Sequence, residues 1–108
     1  MSNLKFPNKD KDDTLDYSVD WSRFLGTNTI SQVLWFVKNE NGVKTRINAG
    51  DTINNITSTS QLISTNGKVA IIFLSGGTNN LTYSFTCSIT DSRGLSTERS
   101  INITIKER

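Results

Sequence analysis

Apolar and polar residues alternate near the start of the chain, in the stretch LDYSVDW at residues 15–21. A period of two is typical of a β-strand that buries one face, so the pattern predicts that Tyr17 and Trp21 point into a core. The alternation of apolar and polar residues stops at SRFLG, and this stretch predicts a single turn closed by Gly26. We expect this turn to lead the chain into a second sheet, with the Asp20 carboxylate accepting backbone N–H bonds within it.

Four further stretches have the length and composition of strands. Residues 29–38 carry apolar side chains on both faces, with Trp35 in mid-strand, and this favours a central strand covered on each side. Residues 68–77 form a continuous apolar run, whereas residues 81–90 and 98–107 alternate between apolar and polar. The alternation in the last two stretches predicts that each buries one face.

Asparagine–glycine pairs mark two hairpin turns, at Asn41-Gly42 and Asn66-Gly67. An exposed strand is predicted at residues 43–47, and short strands are predicted around residues 53–57 and 61–64. About seven strands, joined by turns roughly every ten residues, predict an all-β fold: an immunoglobulin-like antiparallel β-sandwich. We expect the last two strands to form a hairpin because their connection is short.

The first residues differ in composition from the rest of the chain. Residues 1–13 are polar, contain the only proline and include the charged run NKDKDD. They predict an extended or flexible N-terminal arm, followed by the sandwich domain at residues 14–108. Two roles are open for the arm: a solvated tail, or a segment that docks on a neighbouring subunit through Leu4 and Phe6.

Composition excludes several classes of protein. The 108 residues suffice for one domain, and the net charge of +2 is too small to hold nucleic acid electrostatically. The single cysteine, Cys87, excludes an internal disulfide and is interpreted as a small buried apolar residue. No apolar run is long enough to span a membrane, and the first residues lack the apolar centre of a signal peptide. We expect a protein that stays in the cell that makes it or leaves by lysis.

The residues of common catalytic and metal sites are scarce. The chain has no histidine, and nothing in the sequence fixes two carboxylates at a working distance. The acidic stretch DKDDTLD lacks the glycine and acid spacing of a calcium-binding loop, and SGGTNNL has no lysine to bind phosphate. We therefore predict no catalytic residue, no cofactor and no metal site.

Three motifs carry a resemblance to a known family. The opening DYSVDWSRFLG, the later SGG and the final ERSINITI resemble a family of small phage proteins, over residues 8–108. The resemblance implies a virion structural protein with an immunoglobulin-like sandwich. Tyr83 also resembles the tyrosine corner of such domains, although its spacing to Cys87 is not the usual one. We expect Tyr83 to lie in the core with both tryptophans.

Two functions follow as hypotheses. The first is a non-enzymatic phage structural module, for capsid decoration or for neck, tail or fibre attachment. It would bind neighbouring capsid, neck or tail proteins in the virion through an edge strand or the arm, in symmetric multiple copies and without nucleic acid or membrane. It would be made in the host cytoplasm. The alternative is a carbohydrate or host-surface binding module that uses Phe24 and Phe36.

Overall fold

Two β-sheets pack face to face in a computed structural model that describes residues 4–5 and 14–106. The described strands are β1 (Leu4–Lys5), β2 (Thr14–Asp20), β3 (Ile30–Lys38), β4 (Lys44–Arg46), β5 (Thr52–Ile53), β6 (Ile56–Ile63), β7 (Val69–Gly76), β8 (Thr82–Asp91) and β9 (Ser96–Thr104). The strand order is β1-β9-β8-β3-β4 in one sheet and β2-β7-β6-β5 in the other. All these pairs are antiparallel except β1 with β9. The fold is the predicted immunoglobulin-like antiparallel sandwich.

Side chains at every second position along the strands of both sheets point inward and fill the core. The side chains of Tyr17, Trp21, Trp35 and Tyr83 are 6%, 1%, 0% and 2% exposed. The C-terminal isoleucines Ile101, Ile103 and Ile105 lie with them in the core. The apolar face predicted for each strand of the final hairpin, β8 and β9, therefore points inward. Each large apolar side chain removed from water contributes about 1.5–3 kcal/mol, which makes these rows the main source of stability.

The Tyr83 hydroxyl joins two loops at one end of the sandwich. It donates a hydrogen bond to the Asn54 carbonyl at 2.6 Å and accepts one from the Thr78 amide at 2.9 Å. A tyrosine corner likewise bonds back to the backbone a few residues upstream. The side chain therefore packs in the core while its polar end satisfies two main-chain groups.

The opening turn forms as the sequence predicts. A single helical turn, α1 (Ser22–Leu25), ends at Gly26, and the chain then enters the other sheet. The Asp20 carboxylate accepts hydrogen bonds from the Ser22 amide at 2.9 Å and the Ser22 hydroxyl at 2.5 Å. The side-chain and backbone bonds from Ser22, helped by the charge of Arg99, lower the pKa of Asp20.

The predictions for residues 53–57 and 61–64 are wrong in detail. Asn54 and Asn55 have positive φ angles of 51° and 67°, so they form the turn between β5 and β6 rather than part of a strand. Asparagine tolerates this left-handed conformation better than most residues. Strand β6 then runs unbroken from Ile56 to Ile63, with a register shift between Ser58 and Ser60.

The prediction that both faces of β3 are covered is also wrong. Leu34 and Phe36 on its outer face are half-buried, whereas Trp35 and Val37 on its inner face are buried. The Lys44 ammonium lies 4.7 Å from the centre of the Phe36 ring. Long polar side chains, rather than a further layer of structure, thus shield the outer apolar row.

Candidate interaction surface

An open cleft separates β3 of one sheet from β6 of the other. Its volume is about 340 Å³. We call it the edge groove, and its lining residues are Ser31, Gln32, Val33, Trp35, Gln61, Leu62 and Ile63. The groove combines a recess with exposed apolar side chains, which makes it the strongest candidate site on the described surface.

The groove exists because two strands are short. Strand β4 pairs with β3 only from Phe36 to Lys38, and β5 pairs with β6 only at Ile56 and Thr57. Within the part of the chain that the structure describes, no strand borders residues 31–34 of β3 or residues 60–63 of β6 on this side. Both sheets therefore end in an open edge at the same place.

Main-chain groups of β3 face the groove. In a strand, successive residues direct their N–H and C=O groups to opposite neighbours. The Ile47 amide donates to the Trp35 carbonyl at 3.0 Å, so Trp35 faces the β4 side. Val33, two residues earlier, directs its N–H and C=O to the same side, where β4 no longer runs.

Main-chain groups of β6 face the groove from the other wall. The Ser64 amide donates to the Val69 carbonyl at 2.9 Å, which places Ser64 on the β7 side. By the same alternation, Gln61 and Ile63 direct their N–H and C=O groups away from β7. The two walls together offer the hydrogen-bonding pattern of an unpaired strand edge.

Hydrogen bonds between the sheets close both ends of the groove. At one end the Ile30 amide donates to the Gly67 carbonyl at 2.9 Å. At the other end the Gln61 side-chain Nε2 donates to the Ile47 carbonyl at 2.8 Å, and a second bond, to Ser58 Oγ of its own strand at 3.1 Å, holds the side chain in place. Residues 31–34 of β3 lie between these ties, which gives the groove a length of about 13 Å at the usual rise of a strand.

The side chains around the groove are apolar or uncharged. Ile63 pairs with Ala70 and so shares the inward face of β6, yet it is 38% exposed while Ala70 is fully buried. Leu62 is 45% exposed. No charged residue occurs in residues 27–37 or 52–67, which contain both walls. Natural edge strands are commonly guarded by charges, and this edge is not.

Trp35 forms part of the groove wall as well as part of the core. Its side chain is fully buried, and within the described residues its indole N–H has no hydrogen-bond partner. A buried donor without a partner costs about 1–3 kcal/mol. Trp35, which lines the groove, therefore carries an indole N–H that is buried without a partner among the described residues.

Leu4, one of the two residues proposed from the sequence for the arm, lies in a strand on the opposite side. The main chain of Leu4 and Lys5 pairs in parallel with Ile101 and Asn102 of β9. Phe6 lies outside the described residues. Because β1 and β4 occupy the two ends of the five-stranded sheet, the arm strand and the edge groove lie at opposite edges.

Phe24 and Phe36, the aromatic residues considered for carbohydrate binding, each have a cation over the ring. The Arg93 guanidinium lies 5.7 Å from the centre of the Phe24 ring, which also meets the Trp21 ring edge-on at 6.3 Å. The Lys44 ammonium covers Phe36 in the same way. Each ring thus packs within the protein's own surface.

The buried titratable groups serve the fold. Asp91 accepts hydrogen bonds from the Arg93 guanidinium at 2.5 and 2.9 Å and from the Arg93 and Leu95 amides at 2.8 and 3.0 Å. Burial acts to raise its pKa, but these four bonds and the charge of Arg93 outweigh burial and lower it. Burial raises the pKa of Cys87 to about 12, with the Trp21 indole and Arg99 opposing weakly.

The described residues offer neither a metal site nor a membrane-spanning helix. They contain no group of three or more cysteine, aspartate or glutamate side chains placed to hold a metal ion. None of their helices has the length and apolar character of a membrane span. The uncharged edge groove was not predicted from the sequence, although the two long stretches without charge were visible in it.

Comparison with known proteins gives one family. Residues 9–104 match the model of a family described as "Podophage GP4 fiber-tail adaptor protein gp77". No curated protein matches the chain significantly. One similar solved structure is titled "Solution structure of the PKD domain from KIAA 1837 protein"; it is 21% identical, with a TM-score of 0.43 over 100% of this chain and 90% of that chain.

Proposed function

The chain belongs to the podophage GP4 fiber-tail adaptor family, and from that membership we propose that it joins a fibre protein to another protein of a phage tail. The family is one of phage structural proteins, which supports a place in the virion and a non-enzymatic role. The sequence left head, neck and tail open. The family description favours the tail over capsid decoration.

An adaptor needs two separate binding surfaces, and the fold offers two. The edge groove lies at one edge of the five-stranded sheet, and the arm strand lies at the other. A partner at each edge would be held by surface complementarity, with the rigid sandwich fixing the distance between them. We propose that the arm, including Leu4 and Phe6, contacts one partner and that the groove contacts the other, in each of several symmetric copies.

The observation that supports this proposal most is the family match across residues 9–104, which include both walls of the edge groove. The buried titratable groups are consistent with it, because Asp91 and Cys87 are engaged in the fold. The chemistry of the groove walls suits contact with protein, as main-chain groups and aliphatic side chains dominate them.

Deletion of the gene from the phage tests the proposal. We expect the mutant to make filled heads whose tails lack fibres, visible by electron microscopy, and to lose adsorption to host cells. Supplying the wild-type chain in trans should restore the fibres. Particles that keep their fibres without this protein, or purified wild-type virions in which an antibody does not detect it, would contradict the proposal.

A further inference from the structure

We infer that the edge groove receives an extended, uncharged segment of the fibre or tail partner, which adds to the open edge of β6 as a further strand. The inference rests on the proposed adaptor function and names the chemistry of one of its two contacts. Strand addition supplies affinity through main-chain hydrogen bonds and specificity through alternate side chains.

The main-chain groups define an extended occupant. Val33 on one wall and Gln61 and Ile63 on the other direct N–H and C=O groups into the groove, at the spacing of an unpaired strand. A helix satisfies its own main-chain groups and would leave these unpaired. The two inter-sheet ties limit the paired part of the occupant to about four residues.

The side chains define its composition. The walls carry no charge, and Ile63 faces inward without the cover that its neighbours on β7 receive. A charged side chain in this recess would lose its hydration without gaining a partner. Beyond the end near Ile47, however, β4 carries the exposed residue Arg46, whereas Lys44 is paired with Glu98 at 3.1 Å. We therefore expect about four apolar or small uncharged residues with an acidic residue on the β4 side.

A second copy of this chain fits the groove poorly. Two-fold pairing brings the same surface together from both subunits, so it would set one recess against another and leave both unfilled. The occupant is accordingly assigned to a different virion protein.

Photo-crosslinking in assembled virions identifies the occupant. A photoreactive phenylalanine analogue replaces the exposed residue Gln32 or Leu62 on the groove, and Ser18 on β2 serves as the control position at the opposite edge of the four-stranded sheet. We expect the groove positions, after irradiation, to crosslink to a fibre or tail protein at an uncharged segment flanked by Asp or Glu. The Ser18 position should not reach that segment.

Several results would overturn the inference. They are crosslinks only to other copies of this chain, crosslinks to a helical or highly charged segment, and no groove crosslink from virions that contain the variant. If the chain is absent from virions, the proposed function itself fails. These outcomes distinguish an incorrect groove assignment from an incorrect function.

Ile63→Pro tests the main-chain contact. Proline removes the N–H that faces the groove while leaving the rungs to β7 in place, and Ile63→Val keeps that N–H. Loss of one main-chain hydrogen bond should weaken attachment by about two- to tenfold, measured as the fraction of virions that carry fibres under limiting fibre supply. Equal attachment by the two variants would overturn the inference.

A charge variant completes the test if Ile63→Pro does not fold. Gln32→Lys adds a cation at an exposed position on the groove, and Ser18→Lys adds one at an exposed position on β2. We expect Gln32→Lys to reduce fibre attachment and Ser18→Lys to leave it unchanged, with both proteins unfolding at the temperature of the wild type. An equal effect of the two substitutions would overturn the assignment of the groove.

Discussion

At the scale of single residues, Asp91 shows how a buried charge is held. Its carboxylate is fully buried yet ionised, because Arg93 and two amides of the β8–β9 turn surround it. A carboxylate that loses these partners would be an unpaired buried charge, which proteins rarely tolerate. The residue therefore fixes the turn that joins β8 to β9.

Asp91→Asn should lower stability in a pH-dependent way. The folded pKa of Asp91 lies below its ordinary value of 3.8, so its contribution is complete above that pH and is lost as the pH falls through the folded pKa. We expect the variant to unfold at a lower temperature than the wild type at pH 7, and the difference to shrink below pH 3.8. Thermal unfolding followed by circular dichroism from pH 7 to pH 2 measures this, and a difference independent of pH would contradict it.

Tyr83→Phe isolates the two hydrogen bonds at the tyrosine corner. Removing the hydroxyl leaves the Asn54 carbonyl and the Thr78 amide without their partner. We expect the free energy of unfolding to fall by about 1–3 kcal/mol, measured by urea denaturation.

The neighbouring Thr82→Val is the matched control. It removes an exposed hydroxyl that pairs with Thr104 on the outer face. Its effect should stay within about 0.5 kcal/mol, as is usual for surface positions. Similar losses in both variants would mean that the corner contributes no more than an ordinary surface bond.

At the scale of elements, the glycines that end β7 illustrate a crowded turn. Gly76 has a φ angle of 77°, and a Cβ atom there would lie 2.8 Å from the Asn55 carbonyl oxygen. The chain leaves the four-stranded sheet at this point and passes beside the turn between β5 and β6. Only a residue without a side chain fits both the left-handed conformation and the close backbone approach.

Gly76→Ala and Gly42→Ala separate these two demands. The φ angle of Gly42 is 76°, nearly the same, but a Cβ atom added there would have nothing within 4 Å. Left-handed strain should cost each variant about 1–2 kcal/mol, and Gly76→Ala should lose more because the Asn55 backbone must also move. Urea denaturation compares the pair, and an equal loss would show that crowding contributes nothing.

Local pattern was sufficient to predict most elements. Alternation predicts β2, β8 and β9, and the Asn-Gly pairs mark two of the hairpin turns, because each signal depends on neighbouring residues alone. The length of β4 does not depend on local pattern: residues 43–47 have strand composition, yet only Lys44–Arg46 pairs with β3. Where a strand stops is decided by packing between the sheets, as at Ile47, which turns into the core.

The candidate site was beyond prediction for the same reason. The groove requires β4 and β5 to end early on the same side of the sandwich, and it also requires β3 and β6, which are distant in sequence and belong to different sheets, to lie side by side. Trp35 was correctly placed in the core, but its second role in the groove wall depends on that tertiary arrangement. Absence of charge in both walls was the one local signal available.

At the scale of the whole molecule, hydrogen exchange should show where the sheets are open. The amides of Val33, Gln61 and Ile63 face the groove, whereas those of Leu34 and Leu62 face neighbouring strands. We expect the first three to exchange rapidly in the free protein and the other two slowly, in native-state exchange measured by NMR. Uniform protection along β6 would contradict the open edge.

Burial of the single thiol has a consequence for how the protein responds to oxidants. Cys87 is enclosed between the sheets, and burial raises its pKa to about 12, so oxidants meet little of the reactive thiolate. Folding needs no disulfide, and maturation therefore needs no oxidising compartment. A component built this way has no internal cross-link that reducing surroundings could break or oxidising surroundings could form.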